Sequence, residues 1–319
     1  MRNGLKPEDR LAAIHAGESS SLTVELHNLQ TARELASERR SAQGGKSLPL
    51  EIPSYLDTPD GQIYSVLHAS QAERRGTLLT CGPFGAERER AYLSMVRWAR
   101  TLACDGFDAL RFDYRGIGES SGRFREMNLA SWRDDAERCA MGLYESAPEV
   151  PLILHGVRLG CLVAAELFAS GIGDGLLLWA PPSCAREHLR DTLRHNLISQ
   201  LLNEPDAPRR TREEQIAALE AGEPLNVDGY AWTAGLWNDA AKHPLVVPAA
   251  GDRRPWHALH GRSSAASALE NLTPSRTEMV DAEDFWGTSS MLLVPRVDGY
   301  FQASRRWLGE SGLWDPRIA

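Results

Sequence analysis

Residues 152–164 read Leu-Ile-Leu-His-Gly-Val-Arg-Leu-Gly-Cys-Leu-Val-Ala. An apolar strand, then Gly156-x-x-x-Gly160, then an apolar helix has the layout of a nucleophile elbow, a sharp turn that lifts one side chain clear of a sheet. The centre of such a turn is where Ser, Cys or Asp would attack. Here it is Arg158. A guanidinium stays protonated and offers no lone pair, so it is neither nucleophile nor base. It can grip a ligand carboxylate or phosphate through paired bonds, or be neutralised by a carboxylate of the protein such as Glu87 or Asp284. A cation at a helix N-terminus also opposes the helix dipole, at about 0.3–1 kcal/mol when exposed, and an anion nearby relieves it.

Other residues of reactive type are scattered. Cys161 falls in the first turn of the expected elbow helix, where a thiol pKa drops, although burial against the sheet would leave it inert. His257 and His260 are three apart on a candidate strand, and no His follows His260. They are the one pair near metal-ligand spacing, and packed or surface histidines account for them equally. Asp113, two residues before Arg115, is expected to order its own loop. Arg186, Arg190 and Arg194 form one basic helical face, either solvated or steering anions. Tyr230, Trp232, Trp237, Trp256, Phe285 and Trp286 could line an apolar pocket or fill a core.

The elements that would carry these residues alternate. The chain has 319 residues, 42% hydrophobic, enough for one domain with a large insertion. Residues 1–46 read as an extension, with Leu22, Leu26, Leu29, Ala32 and Ala36 on one helical face, packed on its own domain or against a partner. Two antiparallel strands, at Pro49–Ile52 and Gln62–Leu67, flank the turn Pro59-Asp60-Gly61. A buried strand at Thr77–Thr80 leads to a helix with Tyr92, Met95, Val96, Ala99, Leu102 and Ala103 on one face, ended by Gly106. A strand at Ala109–Phe112, a helix at Trp132–Tyr144 with acids at its start, the strand Leu152–Leu154 and the strand Gly175–Trp179 follow. This rhythm predicts a doubly wound, mostly parallel α/β sheet. Residues 183–243 interrupt it as a helical cap, with a short helix at Glu213–Ala221 and an irregular aromatic stretch at Gly222–Trp237. Strand character returns at Leu245–Pro248, Trp256–Leu259 and Thr277–Val280, and a helix at Gly299–Leu308 closes the chain. The expected division is 1–46, 47–182, 183–243 and 244–319.

Composition excludes several classes. Net charge is -8 without a basic run, which argues against nucleic acid. No stretch is long and apolar enough to span a bilayer. Cys81, Cys104, Cys139, Cys161 and Cys184 are odd in number and widely spaced, which predicts free thiols, a cytoplasmic location and no zinc site. No cofactor is implied.

Several motifs occur in a familiar order: Cys81-Gly82-Pro83-Phe84-Gly85-Ala86-Glu87, then Leu110-Arg111-Phe112-Asp113-Tyr114-Arg115-Gly116-Ile117-Gly118-Glu119-Ser120, then Gly156-Val157-Arg158-Leu159-Gly160, then Leu178-Trp179-Ala180-Pro181. Cap segments Glu187–Arg194 and Gly222–Tyr230, and Asp284-Phe285-Trp286, add to them. The chain resembles the α/β-hydrolase superfamily, and within it the second type of exosortase A system-associated hydrolase, found in bacterial exopolysaccharide gene neighbourhoods. The resemblance implies an α/β-hydrolase fold with a helical cap. It places oxyanion-type N–H donors at Phe84 or Gly85 and at Leu159, and puts Asp284 and Trp286 beside the pocket. It also places Ser120, Ser183 and Cys184 near the mouth. The superfamily's late His is missing, as is its nucleophile. The expectation is a non-catalytic or accessory binder of an anionic or acylated small molecule in a biosynthetic pathway, using Arg158 and the residual donors. One alternative is a hydrolase or acyltransferase with a displaced nucleophile at Cys161, Ser183 or Cys184. Another is a subunit of a homodimer or multi-protein complex, assembled through residues 1–46.

Overall fold

The computed structural model describes residues 50–203, 209–249, 251–261, 276–287 and 297–313. The expected helical face at Leu22–Ala36, and the extension that carries it, lie outside these residues. Strands β1 (Glu51–Thr58) and β2 (Gly61–His68) pair antiparallel across Pro59-Asp60, with Gly61 at φ 134° where a side chain would be strained. Then come β3 (Gly76–Cys81), α1 (Gly85–Cys104), β4 (Phe107–Phe112), α2 (Leu129–Ser146), β5 (Leu152–Val157), α3 (Gly160–Ala169) and β6 (Gly175–Trp179). β9 (Trp256–His260), β10 (Thr277–Met279) and helix α7 (Asp298–Glu310) complete the layer, with β7 and β8 in the cap described below.

Among the described residues the main sheet has eight strands in the order β1-β2-β4-β3-β5-β6-β9-β10. The β1–β2 and β2–β4 pairs are antiparallel and the rest parallel. The inner strands are buried on both faces, which is why they read as continuous apolar runs. Leu78, Ile153 and Leu177 face α1 and α7, while Leu79, Leu154 and Leu178 face α2 and α3. The buried stripe of α1 is Ala91, Met95, Trp98, Ala99 and Leu102. Tyr92, expected on it, is 46% exposed and lies under the Arg111 guanidinium, one position off the helical repeat. α2 starts earlier than its apolar pattern implied because Asn128 and Ser131 form a capping box. Its Asp135 is not a dipole partner at the surface. It is fully buried and takes bonds from the backbone N–H and Nε of Arg115.

Between β6 and β9 lies the cap: α4 (Ala185–Asn203), α5 (Arg212–Glu220), strands β7 (Leu225–Val227) and β8 (Tyr230–Trp232), and α6 (Ala234–Asp239). Gly222–Trp237 is therefore not irregular. Asp228 at φ 51° and Gly229 at φ 89° make the tight turn of a hairpin. The predicted strand at Leu245–Pro248 does not form. Prolines at both ends of Pro244–Pro248 withdraw ladder donors, and the stretch is held by a single bridge, Cys184 to Pro244, and by Leu245 N–H to Ser183 O at 2.8 Å. All five cysteines are free thiols. No described helix is long and apolar enough to cross a membrane.

Candidate functional site

The elbow forms with an arginine at its apex. β5 ends at Val157, Arg158 takes φ 54°, and α3 starts at Gly160. That backbone costs a residue with a Cβ about 1–2 kcal/mol. The flanking glycines make the turn possible. A Cβ at Gly156 would lie 2.4 Å from Cys161 Cα, and one at Gly160 would lie 2.0 Å from Cys81 O. Arg158 N–H donates to Trp179 O at 3.0 Å, which ties the apex to β6.

The guanidinium does not stand free. Its Nε donates to Glu87 Oε1 at 3.1 Å, its Nη1 reaches Ala180 O at 3.4 Å, and its plane lies 5.5 Å from the Trp286 ring. Glu87 is in the first turn of α1, where the helix dipole favours an acid. Burial raises its pKa, and Arg158 pulls in the opposite direction. Asp284 adds to the negative field on Arg158. Arg158 is thus half of an ion pair whose side chains are 21% and 16% exposed.

His188, from the first turns of α4, completes the floor. Its Nδ1 lies 3.5 Å from Arg158 Nη2, a donor, so Nε2 is assigned the proton. Nε2 is 3.5 Å from Glu87 Oε2 without hydrogen-bond alignment, and both atoms are buried without a partner. Burial and then Arg158 hold the His188 pKa well below its usual value, so the ring is neutral. The cap segment Glu187–Arg194 carries the resemblance without giving His188 a role; its approach to the elbow is created by the fold of the cap. His260, at the end of β9 and 1% exposed, is likewise kept neutral by burial and Arg158, at a pKa of about 4. His257 instead stacks on Trp307 and faces Glu278 at 3.4 Å. Among the described residues no group of His, Cys, Asp and Glu could hold a metal.

Above the floor, Phe84 precedes α1 in an extended conformation. Its ring lies among Trp132 (5.4 Å), His188 (6.0 Å), Trp232 (6.0 Å) and Phe124 (6.4 Å). Gly85 sits at φ 58° below Tyr230, whose hydroxyl donates to Glu89 at 3.0 Å. The backbone N–H groups of Phe84, Gly85 and Leu159 take no acceptor from the described residues.

The other candidates lie elsewhere or are engaged. Cys161 is buried, its thiol pKa is pushed up by burial, and Sγ faces Trp179 O at 3.3 Å. Ser183 Oγ is bonded to Glu187, and Cys184 Sγ accepts from Glu187 N–H at 3.4 Å. Ser120 Oγ donates to Asp113 O and accepts from Tyr64 N–H. Among the described residues none of these four has an imidazole partner. Asp113 is clamped by Arg88 at 2.6 Å and by Glu119 N–H. Arg186 packs on Trp237 at 4.3 Å, while Arg190 and Arg194 are exposed, so the three do not act as one face.

The arrangement of strands and helices recurs in solved structures. Hypothetical protein PA2218 from Pseudomonas aeruginosa matches 83% of this chain and 95% of its own at 16% identity, with a TM-score of 0.55. The alpha/beta hydrolase GrgF from Penicillium sp. sh18 matches 82% and 99% at 15% identity, with a TM-score of 0.54. Est1E from Butyrivibrio proteoclasticus, solved with ferulic acid, matches 81% and 98% at 17% identity, with a TM-score of 0.53. The chain has the α/β-hydrolase fold. In that fold the loop after the last strand supplies the catalytic His. Here the loop after β10 brings Asp284 and Trp286, and the Trp286 ring meets the guanidinium of the apex residue. No family model matches the chain. In sequence, 75 residues are 33% identical to the mitochondrial palmitoyl-protein thioesterase ABHD10 of Homo sapiens. The match spans 22% of this chain and 23% of that relative, about a quarter of its length.

Proposed function

We propose that this chain is a non-catalytic binding protein on an α/β-hydrolase scaffold. Its ligand is an acylated small molecule whose carbonyl oxygen sits among the N–H groups of Phe84, Gly85 and Leu159, beside Arg158 and Trp286. The observation that carries this reading is Arg158 at the elbow, engaged by Glu87, with acceptor-free backbone donors on either side. Such donors bind an oxygen whether or not a nucleophile stands between them. Of the anionic and acylated ligands expected, the Glu87 pairing favours the acylated one. The resemblance to exosortase A system-associated hydrolases supports a place in an exopolysaccharide-type biosynthetic pathway, and the free thiols support a cytoplasmic location.

The segment similar to a thioesterase keeps a second reading in play: a hydrolase or acyltransferase for an ester, thioester or amide, with Cys161, Ser183 or Cys184 as nucleophile. A fluorophosphonate probe tests the serine, and turnover of a p-nitrophenyl ester or an acyl thioester tests the two cysteines as well; turnover of either rejects the binding reading. Binding alone predicts no labelled serine and a rise in melting temperature with an acyl ligand. Stoichiometric labelling at one serine rejects it. Iodoacetamide is a poorer choice, because Cys104 is exposed and reacts wherever the cleft stands.

A further inference from the structure

We propose that the cleft selects neutral acyl compounds carrying a hydrogen-bond donor on or next to the carbonyl, and that Glu87 is the selecting residue. This rests on the acyl-binding reading above. The positive charge of Arg158 is already met by Glu87 Oε1 at 3.1 Å, and Asp284 adds a second carboxylate field. His188 and His260 contribute no charge when neutral. A ligand carboxylate would therefore enter beside Glu87, where the Arg158 charge is already matched. Glu87 Oε2, by contrast, is buried and receives no hydrogen bond from the described residues. A carboxylate oxygen in that state calls for a donor. His188, 3% exposed, holds its Nε2–H beside it, also unpartnered and 3.5 Å from Oε2. Two buried polar atoms of opposite kind, out of alignment with each other, fit a group that donates to one and accepts from the other.

Position narrows the chemistry. Glu87 is two residues beyond Gly85 in the first turn of α1, so the donor is read within one helical turn of the N–H groups that take the carbonyl oxygen. An amide N–H or a 2-hydroxyl meets that spacing. Phe124 and Tyr230, both half-buried, present aromatic surface for an apolar body.

The test is calorimetry on the full chain with phenylacetamide, methyl phenylacetate and phenylacetate. These share one apolar body and differ in donor and charge. Phenylacetamide is expected to bind about tenfold more tightly than the ester, the size of one charge-assisted hydrogen bond, with phenylacetate weakest. Glu87→Gln should shrink the amide's preference over the ester and raise phenylacetate affinity. The wild-type ranking decides the matter even if this variant does not fold. Tightest binding of phenylacetate overturns the selectivity while leaving an acyl cleft in place. Binding of none of the three overturns the underlying reading as well.

Discussion

Replacing Arg158 with methionine removes the cation and most of its bulk is kept, leaving Glu87 without its partner. Breaking a buried ion pair by deleting one member costs about 3–5 kcal/mol, because the survivor stays buried and uncompensated. The two side chains here are 21% and 16% exposed, so water screens part of that cost and a loss of about 2–3 kcal/mol is expected. For a domain of this size each kcal/mol lowers the melting temperature by roughly 2–4 °C, so Arg158→Met should melt about 5–10 °C below the parent. The double variant Arg158→Met/Glu87→Met has no orphaned carboxylate and should recover most of the loss. A pH series adds a second signature. With Arg158 gone, burial, the largest influence on Glu87, is opposed only by the weaker pull of His195 and Arg90 and keeps its folded pKa above the ordinary 4.5. The folded state then holds the proton more tightly than the unfolded state. Its stability is fullest below that ordinary value and falls as pH rises through the folded pKa, so the deficit relative to the parent widens toward neutrality. Differential scanning calorimetry at several pH values measures both. An unchanged melting temperature for Arg158→Met at neutral pH, or a double variant no more stable than the single, would refute the pairing argument.

Arg158→Ser alone should not produce esterase activity, since no His follows β10 and His188 meets only the guanidinium tip of the longer side chain; turnover of a p-nitrophenyl ester above the parent rate counts against this. Asp135→Asn should cost about 3–5 kcal/mol, because it strips the fully buried partner from Arg115; the urea midpoint reports it. His243 bonds Glu166 at 2.7 Å and lies 3.3 Å from Asp239, and the Glu166 bond raises its pKa. Its contribution to stability is complete below the unfolded pKa and is lost as pH rises through the folded one. Thermal melts of His243→Gln should therefore lack the decline expected of the parent as pH rises above the ordinary value of 6.5.

Much of the frame was legible because it rests on local rules. Gly156 and Gly160 are spaced by a turn that tolerates no Cβ, and the inner strands are apolar on both faces because helices cover both. The hairpin at Asp228-Gly229 was legible in principle, since that dipeptide suits a tight turn, but its strands are three residues each, too short to show a period. Glu87 and Asp284 were both available as partners for Arg158. The first turn of α1 brings Glu87 against Nε, and that is a matter of helix placement rather than of sequence spacing. His188 lies in a cap segment that carries the resemblance but had no assignable role, because its neighbours depend on where the cap helix α4 is placed. Tyr92 was misplaced by one residue on a helix whose true stripe includes Trp98.

The apex of the elbow places a fixed positive charge at the amino end of α3, where the peptide dipoles are themselves positive. Glu87 on the neighbouring helix end makes that tolerable. Neither residue is comfortable alone, so inheritance should treat positions 87 and 158 as one locus. Lineages that restore a small hydroxyl at 158 are expected to have given up the acid at 87 as well.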